Sequence, residues 1–378
     1  MTKLLVATTV YRTLRAFLAP YAIHFRALGW QVDAIAQGAT DCPECCAAFD
    51  KVWEIEWARN PLHWQNFTTP QRLRQLVTQE SYDLVHVHTP VAAFVLRFAL
   101  RNLPSAKRPK VFYTAHGFHF YQGASPVQNR FFLTLEKLAG RWTDYLIVMN
   151  QEDQEAAQKH AIVPPHQVHY VPGIGLDTTF YAPEKTPANA VQAIRNELGL
   201  KAGEKLLLMI AHFDKGKRHA DLLQALAHLQ RPNLHLALVG FGPRQAKVQQ
   251  LAAHLGLAPY VHFLGYRRDI PALLKSAVAT VLLSDREGLP RSSMESLSMG
   301  VPVIGSNIRG LRDLLQNGNG YLVQNGDILG IAAAITRIVD QPEEVAQMSR
   351  RGREWIKRYD VAHTIRRHEA LYATALQN

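Results

Sequence analysis

Short apolar runs alternate with longer helical segments along the whole chain, and this alternation restricts the fold more than any other feature. The apolar runs are typical of strands because they are short and are bounded by turn residues. Strands that alternate with helices indicate a parallel sheet covered by helices on both faces. The runs are LLVATTV, VDAIAQ, DLVHVHT, KVFYTAH and DYLIVMN, and then KLLLMIA, LHLALVG, VHFLG, ATVLLS and PVIGS. We therefore predict an α/β fold with two doubly wound, Rossmann-like domains.

The chain has 378 residues, which supports two domains because single hydrophobic cores rarely grow beyond about 250–300 residues. A Pro-, Gly- and Thr-rich segment, PGIGLDTTFYAPEKTPANA, separates the two strand series, so we place a linker near residues 176–190. We predict domains at 1–180 and 181–360. A closing helix at 361–378 is predicted to pack back toward the first domain. Ligands of such sheets bind outside the carboxyl ends of the strands.

The charge balance favours an anionic partner, since 42 Lys and Arg face 31 Asp and Glu, a net charge of +11. Residues 1–183 hold an excess of +3 and residues 184–378 hold +8, so we expect a polyanionic ligand in the second half. No apolar run approaches the roughly 18 residues that span a bilayer. The first run is broken by Tyr11 and Arg12, which favours a buried strand over a signal peptide, and we expect a cytoplasmic protein.

Cys42, Cys45 and Cys46 are the only cysteines, which excludes a disulfide framework. One C-x-x-C pair is half a zinc site, and incidental thiols are the favoured interpretation. The basic residues are dispersed and form no nucleic-acid-binding motif, so we expect no nucleic-acid partner.

The segment SDREGLPRSSMESLSMGVPVIGSNIRG, residues 284–310, carries the strongest chemical pattern. A strand end, a Gly-Leu-Pro turn and a helix N-terminus direct backbone N–H groups toward an anion. Glu287 and Glu295, with seven residues between them, can accept hydrogen bonds from hydroxyl groups on either side of that anion. This arrangement suits a sugar nucleotide.

This segment resembles the retaining GT-B glycosyltransferases of family 4, with serines in place of the usual alanines. The resemblance implies two Rossmann-like domains that face a central cleft, with the acceptor on the first and the nucleotide sugar on the second. It implies that Glu287 binds hydroxyls of the donor sugar and that Glu295 holds the ribose. The backbone from Glu287 through Gly288 and Leu289 to Pro290 would line the sugar site.

The segment IAHFDKGKRHADLLQAL, residues 210–226, stands where the family has G-R-L-x-x-x-K-G before a helix. Lys217 falls on the family's lysine, which implies that it offsets the charge of the leaving diphosphate. Ala211 and His212 replace the Gly-Arg pair. We expect His212 to be a weaker donor, and Lys215 or Arg218 to cover for the missing arginine.

Two glycine-containing loops fit the same resemblance. In VGFGP, Gly240 and Gly242 stand where the family has its G-x-G-P beneath the nucleotide. The segment VHFLGYRRDIPALLKSA resembles the element whose loop, here after Gly265, lies near the base.

The first half has a histidine-rich marker, YTAHGFHFYQG. His116 follows a predicted strand, and the resemblance implies that it contacts the donor sugar or the reacting centre. His119 is a candidate acceptor contact. His86 and His88 alternate in DLVHVHT, where packing or a hydrogen-bonded core pair is favoured over a metal pair.

The combination of VHTPVAAF, YTAHGFHFYQGA, VPGIGLD and NIRGLRDLL is similar to bacterial transferases that build surface polysaccharides on a polyprenyl-diphosphate carrier. In that subfamily Arg309 replaces a widely used Gly, and Asp313 stands where many relatives have Glu. A lipid-linked acceptor would bring the first domain to the inner membrane surface, where basic and apolar side chains could contact it. The candidates are Tyr11, Arg12, Leu14, Arg15, Phe17, Leu18, Trp57, Trp64 and Phe67. The alternative is that these side chains form part of the core or of the acceptor cleft.

We therefore expect a retaining glycosyltransferase that moves a hexose or N-acetylhexosamine from a UDP-sugar to a lipid-linked or free saccharide, with no cofactor and no metal. The chain has no D-x-D pair, which disfavours the metal-dependent GT-A class. A front-side mechanism is implied by the family. A GT-B sugar-nucleotide epimerase and a non-catalytic sugar-nucleotide- or glycan-binding subunit remain as alternatives.

Overall fold

The structure, a computed structural model, describes residues 1–57, 65–121 and 123–377, with the backbone alone for residues 65–68. The chain forms two compact units: unit 1 is Met1–Gly175 with Val361–Asn378, and unit 2 is Leu176–Asp360. Each unit is built on one parallel sheet with connecting helices, which confirms the predicted α/β class.

The described residues of unit 1 form a seven-stranded sheet in the order β3-β2-β1-β4-β5-β6-β7. The strands are β1 Lys3–Val10, β2 Gln31–Gln37, β3 Val52–Glu54, β4 Leu84–His88, β5 Lys110–Ala115, β6 Tyr145–Val148 and β7 Val168–Tyr170. The α-helices are α1 Tyr11–Thr13, α2 Ala19–Ala27, α3 Pro43–Ala48, α4 Gln65–Glu80, α5 Pro90–Leu100, α6 Pro126–Gly140 and α7 Gln151–Lys159.

Unit 2 has six strands in the order β10-β9-β8-β11-β12-β13. They are β8 Lys205–Ile210, β9 Leu234–Val239, β10 Val261–Gly265, β11 Ala279–Leu282, β12 Val303–Ser306 and β13 Gly320–Val323. Its α-helices are α8 Ala188–Glu197, α9 His219–Leu229, α10 Gln245–His254, α11 Ile270–Ser276, α12 Arg291–Ser298, α13 Leu311–Leu315, α14 Ile328–Asp340 and α15 Pro342–Ile356.

The strand order reverses between β1 and β4 in unit 1 and between β8 and β11 in unit 2. At such a switch point the connecting helices leave to opposite faces of the sheet, and a crevice opens outside the carboxyl ends of the two strands. The loops that follow these four strands are therefore where each unit can hold a ligand.

The last helix, α16 Val361–Gln377, belongs to unit 1. His24 on α2 lies 3.0 Å from Glu369 on α16, and Tyr372 is buried in the core of unit 1. The segment 176–190 belongs to unit 2 and is not a free linker, since the Leu176 amide donates to the Tyr359 carbonyl at 2.9 Å.

The sequence predicts that most of the excess positive charge lies in the second half, and this is wrong for the two folded units. Unit 1 carries 19 Lys and Arg against 14 Asp and Glu, and unit 2 carries 23 against 17. The excesses are nearly equal because the C-terminal helix belongs to unit 1. Within the described residues, no helix has the length and apolarity that crossing a membrane requires.

Candidate active site

The loops after β8 and β11 bring Lys217 and Glu287 together at the switch point of unit 2. Lys217 lies in a short turn before α9, and its Nζ donates to Glu287 Oε1. The two side chains are 22% and 12% exposed, so the pair is open to a ligand without being fully solvated. A lysine carries three donors, so Lys217 can hold Glu287 and an anion together.

The loop that carries Glu287 is supported from behind by the segment after β12. Arg309 is buried, and its Nε donates to the Glu287 carbonyl at 3.2 Å. Gly310 has φ +75°, and a Cβ at this position would overlap the Gly288 carbonyl oxygen. Position 310 must therefore be glycine for the two segments to approach this closely. We call residues 287–290 the sugar loop.

Gly240 and Gly242 allow the loop after β9 to lie against the loop after β8. A Cβ at Gly240 would overlap the Ala211 carbonyl oxygen, and one at Gly242 would lie 2.7 Å from the Phe213 nitrogen. The Phe213 amide donates to the Phe241 carbonyl at 2.9 Å, which fixes this contact. The glycines thus shape the surface beside His212, while their predicted role in donor binding stays a prediction.

Glu295 lies on α12, directly after the sugar loop, and is 7% exposed. Arg291 donates to Glu295 Oε1 at 2.9 Å, and the Tyr181 hydroxyl is a further hydrogen-bond partner. Burial raises the pKa of the Glu295 carboxyl, and Arg291 partly opposes this effect. Ser293 on the same helix has a buried hydroxyl without a partner among the described residues.

Two basic residues near Lys217, Arg218 and His212, lie beside carboxylates. Arg218 donates to Asp221 at 2.6 Å and to Asp285 at 3.0 Å. His212 Nδ1 lies 3.4 Å from Asp214 Oδ2, and the side chain is 45% exposed. Lys217 is the cation that points to Glu287, while the roles of His212 and Arg218 toward the diphosphate stay predictions.

In unit 1, His116 follows β5 and is part of a buried histidine cluster. His116 Nε2 lies 3.0 Å from His88 Nδ1, and the His88 and His86 ring centroids are 4.1 Å apart. His86 is hydrogen-bonded to Tyr372 and, at 2.7 Å, to Thr114. Both His86 and His88 are buried and hydrogen-bonded to other residues, while their own rings pack together, which agrees with the predicted packing in the core.

Burial, with a smaller contribution from the nearby His368, lowers the pKa of His116 to about 4. The pKa of His88 is also lowered, chiefly by burial. His116 is therefore a neutral imidazole at physiological pH, which can donate or accept a hydrogen bond but cannot offset a negative charge.

Comparison with known proteins shows the family to which the chain belongs. Residues 19–179 match the model described as Glycosyltransferase Family 4, and residues 190–355 match Glycosyl transferases group 1. The chain is 33% identical over 377 residues to EpsD of Bacillus subtilis, covering 98% of this chain and 96% of that protein. The chain belongs to the family 4 glycosyltransferases of the GT-B fold.

Two further similarities extend the comparison. This glycosyltransferase is 30% identical over 274 residues to UDP-Gal:alpha-D-GlcNAc-diphosphoundecaprenol alpha-1,3-galactosyltransferase of Escherichia coli, covering 71% of this chain and 69% of that enzyme. Its fold is similar to that of HepE from Anabaena, solved with UDP and glucose. The TM-score is 0.81 at 22% identity, over 99% of this chain and 100% of the other.

The other predicted residues of the glycosyltransferase's first domain lie after β1 and after β5. Tyr11 is half-buried and its carbonyl accepts from Cys45 Sγ at 3.8 Å, while Arg12 is exposed. His119 is half-buried, with its ring 5.1 Å from that of Phe132. Their roles toward an acceptor stay predictions.

The predicted membrane contact is wrong at three positions. Leu14 and Leu18 are 0% and 3% exposed, because the first helical segment turns its apolar side into the core. Trp57 is 1% exposed, and its Nε1 donates to the Thr9 carbonyl at 2.8 Å. Trp64 lies outside the described residues, as does the side chain of Phe67.

Sequence reasoning missed several residues of the glycosyltransferase's candidate sites. Tyr372 reaches His86 from the far end of the chain, and Tyr181 reaches Glu295 from a distant loop, so no local pattern indicates them. Thr89, between β4 and α5, has φ +65°, which is strained for a β-branched residue and marks the switch point of unit 1. In the sequence, the Thr-Pro pair after the strand could have indicated this strained turn.

Proposed function

We propose that this glycosyltransferase moves a hexose or N-acetylhexosamine from a UDP-sugar to a hydroxyl of a saccharide carried on polyprenyl diphosphate, with retention of anomeric configuration. It would act in surface polysaccharide synthesis at the cytoplasmic face of the inner membrane. The observation that carries the proposal is the Lys217–Glu287 pair at the switch point of unit 2. The Escherichia coli relative, whose name gives a UDP-sugar donor and a diphosphoundecaprenol acceptor, supports the substrate classes.

In this proposal the donor lies along the sugar loop and α12. Glu287 accepts hydrogen bonds from the sugar hydroxyls, and the backbone of the sugar loop lines the same site. Glu295 accepts from the ribose hydroxyls, for which Arg291 and Tyr181 fix its orientation. Lys217, held in place by Glu287, directs its remaining donors at the diphosphate.

Departure of UDP builds negative charge on the phosphate oxygen that leaves the anomeric carbon. Lys217 stabilises that charge, and the amino end of α9, which begins two residues later, adds a positive dipole end. The acceptor hydroxyl attacks the anomeric carbon from the face that UDP leaves, and its proton passes to the departing phosphate oxygen. His116, as a neutral imidazole, hydrogen-bonds to the donor sugar or the attacking hydroxyl.

The test is a donor panel of UDP-sugars with a synthetic polyprenyl-diphosphate saccharide, with products analysed by mass spectrometry and the anomeric configuration by NMR. Glu287→Gln and Lys217→Met should each lower kcat/KM by about 10²–10³-fold, the usual loss for a group that stabilises developing charge. Glu343→Gln, a change at an exposed carboxylate of unit 2, is the control and should keep full activity. Full activity in both site variants would refute the assignment.

A further inference from the structure

Helix α6 exposes a stripe of large apolar side chains. Val127 is 81% exposed, Phe131 46% and Leu138 39%. Their spacing of four and seven residues puts them in one line along the helix. At 1.5 Å per residue the line is about 16 Å long. Exposed apolar side chains in such an arrangement mark an interaction surface more often than scattered ones do.

Cations run beside this stripe. Arg130, Lys137 and Arg141 are exposed, with a spacing of seven and four residues that places them in a second line next to the apolar one. Within the described residues none of the three forms an ion pair. The single carboxylate of α6, Glu136, is buried and accepts from Arg97 at 3.3 Å and from Tyr113 at 3.0 Å. The exposed side chains of α6 are therefore apolar, cationic or, at Gln128 and Thr134, polar and uncharged, and none is a carboxylate.

Helix α2 shows that exposed apolar residues alone do not create this surface. Ile23 on α2 is 58% exposed. Its basic neighbours are matched, however, because His24 lies 3.0 Å from Glu369 and Arg26 donates to Asp50 at 2.9 Å. Only α6 of the two combines exposed apolar side chains with uncompensated positive charge.

We propose that the outer face of α6 docks on an anionic lipid bilayer. An amphipathic helix lies in the interface when its apolar side chains enter the acyl boundary and cations beside them meet anionic headgroups. Arg and Lys stems suit this arrangement because they place their charge at headgroup level while their methylenes stay near the apolar phase. The three apolar side chains form a narrow line, which is better matched to the acyl boundary than to the broad core of a protein interface.

Helix α6 also contacts the segment after β5 that carries His119, a candidate acceptor residue. The Asn129 side chain on α6 accepts from the Tyr121 amide and donates to the Tyr121 carbonyl, each at 3.0 Å. The Phe132 ring of α6 packs on His119. A membrane-bound α6 would thus hold the segment that begins at His116 at a fixed height above the headgroups. This part of the inference rests on the proposed lipid-linked acceptor.

The experiment is co-sedimentation of the full chain with vesicles of phosphatidylcholine containing increasing phosphatidylglycerol. The wild-type protein should bind, and binding should rise with the anionic fraction. A Phe131→Ser, Leu138→Ser double variant should partition at least about tenfold more weakly. An Arg130→Gln, Lys137→Gln, Arg141→Gln variant should lose the dependence on phosphatidylglycerol.

Ile23→Ser is the matched control and should bind like wild type. Unchanged binding of the Phe131, Leu138 variant, or an equal loss in Ile23→Ser, would overturn the proposal. So would a Phe131-dependent dimer in sedimentation analysis with vesicle binding unaffected, which would assign the face to a second copy of the chain. Transfer to a water-soluble saccharide should be the same in these variants as in the wild type. If the wild-type protein shows no transfer at all, this result would count against the proposed function and not against docking through α6.

Discussion

His116 is held by another histidine and not by a carboxylate. The hydrogen bond between His116 Nε2 and His88 Nδ1 fixes the two rings relative to each other. The His86 ring packs on His88 from behind and is itself held by Tyr372 and Thr114. A carboxylate in place of His88 would favour an imidazolium at position 116. Burial lowers the pKa of His116, and a histidine partner brings no negative charge that would oppose this effect. The neutral ring suits hydrogen bonding to a sugar hydroxyl.

This arrangement makes His88 a positioning residue. We expect His88→Ala to lower kcat about tenfold with little change in donor KM, because the His116 ring loses its orientation while the donor site in unit 2 is untouched. His88→Asn, whose amide lies near the former Nδ1, should recover part of kcat. Steady-state kinetics of both variants check this, together with thermal unfolding to exclude a loss of fold. Equal loss in both variants would contradict a hydrogen-bonding role.

His212 stands where the family has arginine, and its side chain is 45% exposed. We expect His212→Arg to bind UDP-sugar several-fold more tightly, because a guanidinium is always charged and can form two parallel hydrogen bonds to a phosphate. Calorimetric titration with UDP measures the difference. An affinity that does not respond to the substitution would remove His212 from the donor site.

At the scale of elements, the sugar loop depends on its contact with the segment after β12. Gly310→Ala adds a Cβ against the Gly288 carbonyl at φ +75°. Gly256→Ala is the matched control, since Gly256 has φ +71° and nothing within 4 Å of a Cβ. Both changes strain the backbone, by about 1 kcal/mol, but only Gly310→Ala displaces the sugar loop.

We therefore expect both variants to lose stability, and Gly310→Ala alone to raise the donor KM, by about tenfold or more. Chemical denaturation gives the free energy of unfolding, and initial rates give the KM. A donor KM raised equally in the two variants would show that general strain, and not the sugar loop, is responsible.

The elements that could be predicted from the sequence are the central ones. Strands β1, β4 and β5 are buried on both faces, so they read as continuous apolar runs. Strands β3, β7 and β13 went unrecognised, because each lies at a sheet edge, has three or four residues and is partly exposed.

The same contrast applies to the candidate sites. Glu287 and Lys217 could be found because a local pattern surrounds each, whereas their pairing depends on β8 and β11 being neighbours. Tyr372 could not be found, since its contact with His86 joins residues 286 positions apart.

At the scale of the whole molecule, the last helix makes the stability of unit 1 depend on pH. Helix α16 covers His86 and His88 and contributes His368, whose pKa burial lowers to about 4. His116 has a pKa lowered to about 4 as well, and those of His86 and His88 are also lowered. In the unfolded chain these histidines titrate near the ordinary value of about 6.5.

Because the folded pKa values lie below the unfolded ones, the unfolded chain binds more protons between about pH 6.5 and 4. The free energy of unfolding should therefore be constant above about pH 7 and fall as the pH drops through this window, by up to about 1.4 kcal/mol per pH unit for each proton taken up. Urea unfolding at pH 7.5, 6 and 5 measures the slope. His368→Gln should lower the number of protons taken up on unfolding, and hence the slope, by about one proton. His166→Gln, a change at an exposed histidine, is the control and should leave the slope as in the wild type. A stability that is flat from pH 7.5 to 5 would show that the cluster accepts protons without unfolding.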